Sequence, residues 1–106
     1  MKWSLVLLLS LPLGAASVRI VQTNSAGDDV SLIDPSTNKV VGIIKGIEVN
    51  HGAAAAPDGS RLYVSNEANS TLDVVDMKTL KVIRSIPLTA HPNNIAISKD
   101  LSLIHI

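Results

Sequence analysis

The sequence predicts an all-β chain of short antiparallel strands. Three observations carry that expectation: the apolar residues are mostly branched aliphatics, they come in short runs, and the runs recur at a fixed period. The apolar share is 46%, yet there is no Phe, one Trp (Trp3) and one Tyr (Tyr63), so Val, Ile, Leu and Ala must supply the packing. Stiff branched side chains suit a pleated surface better than a helix. After Leu13 no segment keeps apolar residues at i, i+3, i+4 and i+7 for about a dozen residues, which argues against helices.

The first seventeen residues are expected to stand outside the fold. Lys2 supplies a positive start, Trp3 to Leu13 an apolar stretch, and Gly14, Ala15, Ala16 and Ser17 the small residues that a signal peptidase accepts. Residues 1–17 therefore read as a signal peptide cleaved after Ala16, and the protein as secreted or periplasmic. The apolar stretch is about half the roughly 20 residues that cross a bilayer as a helix, so no membrane span is expected after cleavage. The chain has no Cys, which excludes disulfides, thiolate metal sites and a lipid-modified cysteine anchor. Nine basic and nine acidic residues are scattered singly. With no basic stripe, nucleic-acid binding is not expected.

Sliding the chain against itself by 42 positions exposes a repeat. Asn24 meets Asn66, Ala26 meets Ala68, Asp34 meets Asp76, and Thr37 meets Thr79. Lys39 then meets Lys81, Val40 meets Val82, Ile44 meets Ile86, Ala54 meets Ala96 and Asp58 meets Asp100. Nine identities without a gap, between Ile20/Leu62 and Asp58/Asp100, hold register through strands and turns alike. One repeat reads as four strands. Ala53–Ala56 comes first, followed by the turn Pro57-Asp58-Gly59, in which Pro presets φ and Gly accepts positive φ. Arg61–Ser65, Thr71–Asp76 and Lys81–Ile86 follow, separated by polar turns. Four short strands at a repeat of about 40–45 residues describe a β-propeller blade. The chain is accordingly expected to hold a β-propeller fragment at 18–100: an incomplete first blade at 18–45, a complete four-stranded antiparallel blade at 53–87, and the start of the next at 91–100.

RLYVSN at 61–66, STLDVVD at 70–76 and LKVIRSIPL at 80–88 resemble the YVTN-type β-propeller repeat. HPNNIAISKD at 91–100 is similar to the start of a further unit, and IVQTN, DVSLID and NKVVGII form a looser upstream copy. The resemblance implies the propeller fold. It leaves function open, because relatives include lactonases, haem- and quinone-enzyme domains, and surface proteins without known chemistry. The last six residues, 101–106, match one reading frame of a common transposase-library adaptor, and Leu101 stands where the repeat has Gly59. They are expected to be a non-native tail on a longer propeller.

Propeller sites usually sit where inter-blade loops and second-to-third-strand loops open onto one face. His51 and His91 fall in successive inter-blade loops, 40 residues apart and so out of register with the repeat, with Asn93 beside the second. Asn66, Glu67 and Asn69 belong to a loop on the same face. As functional groups, the histidines would be metal or haem ligands, or acid/base groups. The plainer reading makes them loop residues bonding backbone, since two His on separate blades match no metal-site spacing. Glu67 is the acidic rim residue of the complete blade and a candidate acid. Asn24 and Asn66 recur with the repeat, which points to turn capping, and Asp34 and Asp76 are placed to accept backbone N–H groups in turns. No nucleophile elbow, phosphate loop or dinucleotide fingerprint is present. The ligand candidates are thus His51, His91, Asn93, Asn66 and Glu67, with no catalytic residue, metal or cofactor predicted. The expected function is a binding or scaffold module. It would take a small molecule, polysaccharide or protein on its loop face; the alternative is a lactonase-like or haem- or quinone-linked redox domain.

Overall fold

A computed structural model describes residues 17–102 and 104–105. The leader expected at 1–17 lies, apart from Ser17, outside the described residues. Nine strands and no helix make up the described part. Three of them, β1 (Ile20–Thr23), β2 (Asp29–Asp34) and β3 (Lys39–Lys45), form an antiparallel sheet in sequence order. Four more, β4 (Asn50–Ala55), β5 (Arg61–Asn66), β6 (Thr71–Asp76) and β7 (Lys81–Pro87), form the second sheet, again in sequence order. The short β8 (Ala96–Ile97) pairs with β9 (Ile104–His105).

The 42-residue period extends into detail that alternating hydrophobicity does not specify. In β3 the pairing with β2 slips between Val40 and Gly42, leaving Val41 as a bulge residue. In β7 the slip falls between Val82 and Arg84, leaving Ile83 in the equivalent place. Arg19 approaches Asp34 at 4.0 Å and Arg61 approaches Asp76 at 3.8 Å, so the same ion pair recurs one period on. Asn38 and Leu80 both take positive φ, at 56° and 58°. Asn tolerates that region, whereas for Leu it costs about 1–2 kcal/mol. The compensation for Leu80 is packing: it borders the core, and its Cδ1 lies only 2.9 Å from where a Cβ on Gly42 would stand.

Two sheets share one core because each turns a different face to the other. Val30, Leu32 and Ile44 from the first sheet, with Ile47 after it, pack on Leu62, Val64 and Val75 of the second, all of them buried. One repeat later, Val30, Leu32 and Ile44 become Leu72, Val74 and Ile86, which lie on the opposite face of the second sheet from Leu62 and Val75. Stacking is therefore head to tail, front face on back face, as a ring of repeats requires. Each buried Leu or Ile contributes about 1.5–3 kcal/mol.

Two details depart from the strand limits read from sequence. β4 begins at Asn50, three residues before the expected Ala53, so His51 lies in a strand and not in a loop. The pairing of β4 with β5 jumps from Asn50↔Asn66 to Ala53↔Val64, so Ser65 stands opposite the bulged pair His51-Gly52. Polar residues at a bulge carry no alternating pattern, which is why the strand start is hidden. At the other end, Ser102 donates its N–H and hydroxyl to Asp100 as Ser60 does to Asp58. Leu101 takes φ 61° where Gly59 takes 73°. Ala96↔His105 and Ile97↔Ile104 repeat the register of Ala54↔Tyr63 and Ala55↔Leu62.

Candidate functional site

The candidate residues gather around the turn between β5 and β6. Asn66 closes β5 and is buried; its Oδ1 accepts the Asn69 N–H at 3.0 Å and its Nδ2 donates to Asp73 Oδ2 at 3.0 Å. Thr71 donates its hydroxyl to the other Asp73 oxygen at 2.8 Å. In the preceding repeat Asn24 donates to Asp29 at 2.7 Å and to Ser31 Oγ at 3.1 Å. Asp29 is the repeat partner of Thr71 and Ser31 that of Asp73. The carboxylate and hydroxyl have exchanged positions, while an Asn amide donating to a carboxylate is retained. Asn66 thus shapes the turn and has its amide committed within it.

Beyond that turn, Glu67 is reached from two sides. His51 Nε2 lies 2.5 Å from Glu67 Oε2, with both side chains about a third exposed. His91 Nδ1 lies 2.8 Å from the Glu67 backbone oxygen and 3.1 Å from Ser70 Oγ. A carbonyl oxygen can only accept, so the proton of neutral His91 sits on Nδ1 and its Nε2 keeps a lone pair. That is how a ligating imidazole is usually held, with its other N–H on a carbonyl or carboxylate. Although they are out of register with the repeat, His51 and His91 meet the same residue by different atoms. Asn93 is exposed, and it is its backbone oxygen that is engaged, accepting from Ser65 Oγ at 2.9 Å. Among the described residues no three of His, Cys, Asp and Glu are grouped as a metal site.

Sequence reading missed two supporting residues. Asn50 is fully buried: its Oδ1 accepts the Asn24 N–H at 2.7 Å, and its Nδ2 donates to the carbonyls of Asp29 at 2.9 Å and Ile47 at 2.7 Å. It thereby ties the start of β4, and so His51, to the preceding sheet. Its repeat partner is Pro92, which can do none of this, so the period offers no signal for it. Ser65, also buried, accepts the Gly52 N–H at 2.8 Å and fixes the segment carrying His91 and Asn93 across Gly52. A Cβ on Gly52 would stand 2.5 Å from the Asn93 oxygen and 2.9 Å from Asn94 Cα, so only Gly allows that crossing. Segment 88–96 then curls around an open groove of about 510 Å³.

The carboxylates at the opposite end are turn fasteners. The Ser36 hydroxyl and N–H hold Asp34 below the usual carboxylate range, and Ser60 does the same for Asp58. The hydroxyls of Ser98 and Ser102, with the Ser102 N–H, hold Asp100 down to about 2. Groups stabilised as anions in this way do not serve as acids near neutrality.

No family model matches the chain, and no curated protein matches it by sequence. Among solved structures it is similar to hydrazine synthase of Kuenenia stuttgartiensis, with a TM-score of 0.74 and 31% identity over 78% of this chain. It is also similar to dihydro-heme d1 dehydrogenase NirN in complex with DHE, with a TM-score of 0.67 and 21% identity over 81%. Both are β-propeller-containing proteins. The chain is a β-propeller fragment. It spans 24% of the first protein's chain and 18% of the second's. Its two main sheets are adjacent blades. The site described above lies at one end of their junction, where the β5–β6 turn meets the connection leaving β7.

Proposed function

We propose that this chain belongs to an exported YVTN-type propeller that acts as a binding or scaffold module, with its ligand seated on the face carrying His51, Glu67 and His91. The observation that supports this most is that both histidines meet Glu67 from separate segments, His51 at the carboxylate and His91 at the backbone carbonyl. Imidazole, carboxylate and the exposed amide of Asn93 suit a polar small molecule, a polysaccharide or a protein loop. Export is supported by the leader composition, with Lys2, the Trp3–Leu13 apolar stretch and the small residues to Ser17.

A second reading, a domain of a redox enzyme, has its own support. The 31% identity is to an enzyme, hydrazine synthase, and His91, with Nδ1 on a carbonyl oxygen, would hold an iron through Nε2. The two readings separate in one preparation of the intact protein from an exporting bacterial host. Cell fractionation reports its compartment, and absorption with a haemochrome assay reports haem. The binding module should be recovered from the periplasm or medium without stoichiometric haem. Replacing His51 or His91 by Ala should then change stability by about half a kcal/mol or less. Haem bound in proportion to protein and lost in His91→Ala would refute the module and establish the redox reading.

A further inference from the structure

The turn between β5 and β6 carries a pattern that neither reading of the loop face uses. Glu67-Ala68-Asn69-Ser70-Thr71 sets an Asn two residues before a Thr with no Pro between them. That is the acceptor pattern for an N-linked glycan, expected on the surface of an exported protein. Of the seven Asn in the chain, only Asn69 meets it. The Thr hydroxyl is what a transferase grips to hold the acceptor amide in place. Bacterial transferases also read a carboxylate two residues before the Asn, and Glu67 stands there.

The fold gives this Asn no other task. Asn24, Asn50 and Asn66 have their amides committed to hydrogen bonds. Asn69 is exposed, and its carboxamide makes no hydrogen bond among the described residues; only its backbone N–H is used, by Asn66 Oδ1 at 3.0 Å. One repeat earlier the position is Gly27, and neither residue takes positive φ, so turn geometry does not call for Asn. Neighbouring blades do not account for the exposure either. Blades stack on sheet faces, whereas Asn69 lies at the tip of a turn beyond the strand ends. The segment leading into the next blade is present, reaches this turn through His91, and still leaves Asn69 exposed.

We propose that Asn69 is the attachment site of an N-linked oligosaccharide, transferred during export and before the blade folds. The proposal rests on the export reading and is independent of what the loop face binds. Asn69 Nδ2 attacks the anomeric carbon of an oligosaccharide carried on a polyprenyl diphosphate. The C–N bond forms as the C–O bond to the diphosphate breaks, the diphosphate leaves with the bonding pair, and the amide proton passes to a base of the transferase. The order of events follows from the folded geometry. The Thr71 hydroxyl is donated to Asp73 at 2.8 Å, and the Glu67 carboxylate lies against His51, so both recognition groups are engaged once the blade has formed. The unfolded chain offers both. After folding, the glycan projects from the rim beside Glu67 and His91 without displacing a buried contact.

The full chain is produced in a bacterial host that carries a bacterial oligosaccharyltransferase and its polyprenyl-linked glycan. A second strain makes the same chain behind a leader of established export, and both are fractionated and read by glycopeptide mass spectrometry. In both, the peptide holding Asn69 should gain the mass of one glycan. Asn69→Gln and Thr71→Val should abolish the modification, and Thr71→Ser should keep it. Glu67→Gln, which loses one charge-assisted contact to the transferase, should lower occupancy about tenfold. A synthetic peptide spanning residues 65–73 should be modified in vitro far faster than the folded chain; equal rates would overturn the proposed order. An exported chain left unmodified behind the established leader would overturn the proposal, as would a glycan that survives Asn69→Gln. Modification behind that leader alone, with the native-leader chain retained in the cytoplasm, would overturn the export reading on which the proposal rests.

Discussion

Asn50→Ala tests the claim that one buried amide joins the blades and seats His51. The side chain makes three hydrogen bonds, of 2.7, 2.9 and 2.7 Å, to backbone groups of Asn24, Asp29 and Ile47, in a site closed to solvent. A typical bond nets about 1 kcal/mol, and each backbone group left without a partner costs about 1–3 kcal/mol. Alanine offers none of the three, so the loss should be about 3 kcal/mol or more. Single domains have only about 5–15 kcal/mol in total. With a urea slope of about 1–3 kcal/mol per molar, the unfolding midpoint by far-ultraviolet circular dichroism should fall by about 1–3 M. Asn50→Asp should be no better, because it keeps the acceptor for Asn24 but sets a carboxylate oxygen against the carbonyls of Asp29 and Ile47. Lys99→Ala, on an exposed turn, should stay within about half a kcal/mol of the parent. A midpoint for Asn50→Ala within about 0.3 M of the parent would refute the reasoning, since a buried side chain with three backbone partners could then be removed at no cost.

Glycine substitutions should divide by what blocks them. Gly52→Ala meets backbone at 2.5 and 2.9 Å, whereas Gly42→Ala meets the flexible ends of Leu80 and Leu32 at 2.9 and 3.3 Å. Thermal melts should show Gly52→Ala destabilised by about 1–3 kcal/mol and Gly42→Ala by clearly less; the reverse order would contradict the described crossing over Gly52. Acid should loosen the turns: Asp34, Asp58 and Asp100 have folded-state values below 3.8. The unfolded chain therefore takes up protons first. The stabilisation is present above about 4 and is lost as pH falls through the folded values, which for Asp100 is about 2. Carboxyl titrations by NMR should show Asp58 rising toward 3.8 in Ser60→Ala, and Asp34 doing the same in Ser36→Ala; unchanged curves would count against the Ser–Asp turns.

Much of the architecture was legible in the residues themselves. Branched aliphatics without Phe, a 42-residue period, and Pro57-Asp58-Gly59 between strands specify short antiparallel strands and their order, because period and turn chemistry are local properties of a chain. β5, β6 and β7 begin where that pattern places them, and the turn-capping role of Asn66 and the N–H-accepting role of Asp34 and Asp76 follow the same local logic. Placing Glu67 and both histidines on one face needed only the blade plan. What tertiary structure alone decided is how those residues touch. His51 and His91 are out of repeat register, and the bulge opposite Ser65 together with the crossing over Gly52 brings them to one Glu67. Asn50 has no repeat partner of its kind, so its burial among three backbone groups could not be inferred from the period. Strand order can be read from neighbours along the chain; bulges, crossings and grooves are settled by which backbones approach in space, and no local pattern records that.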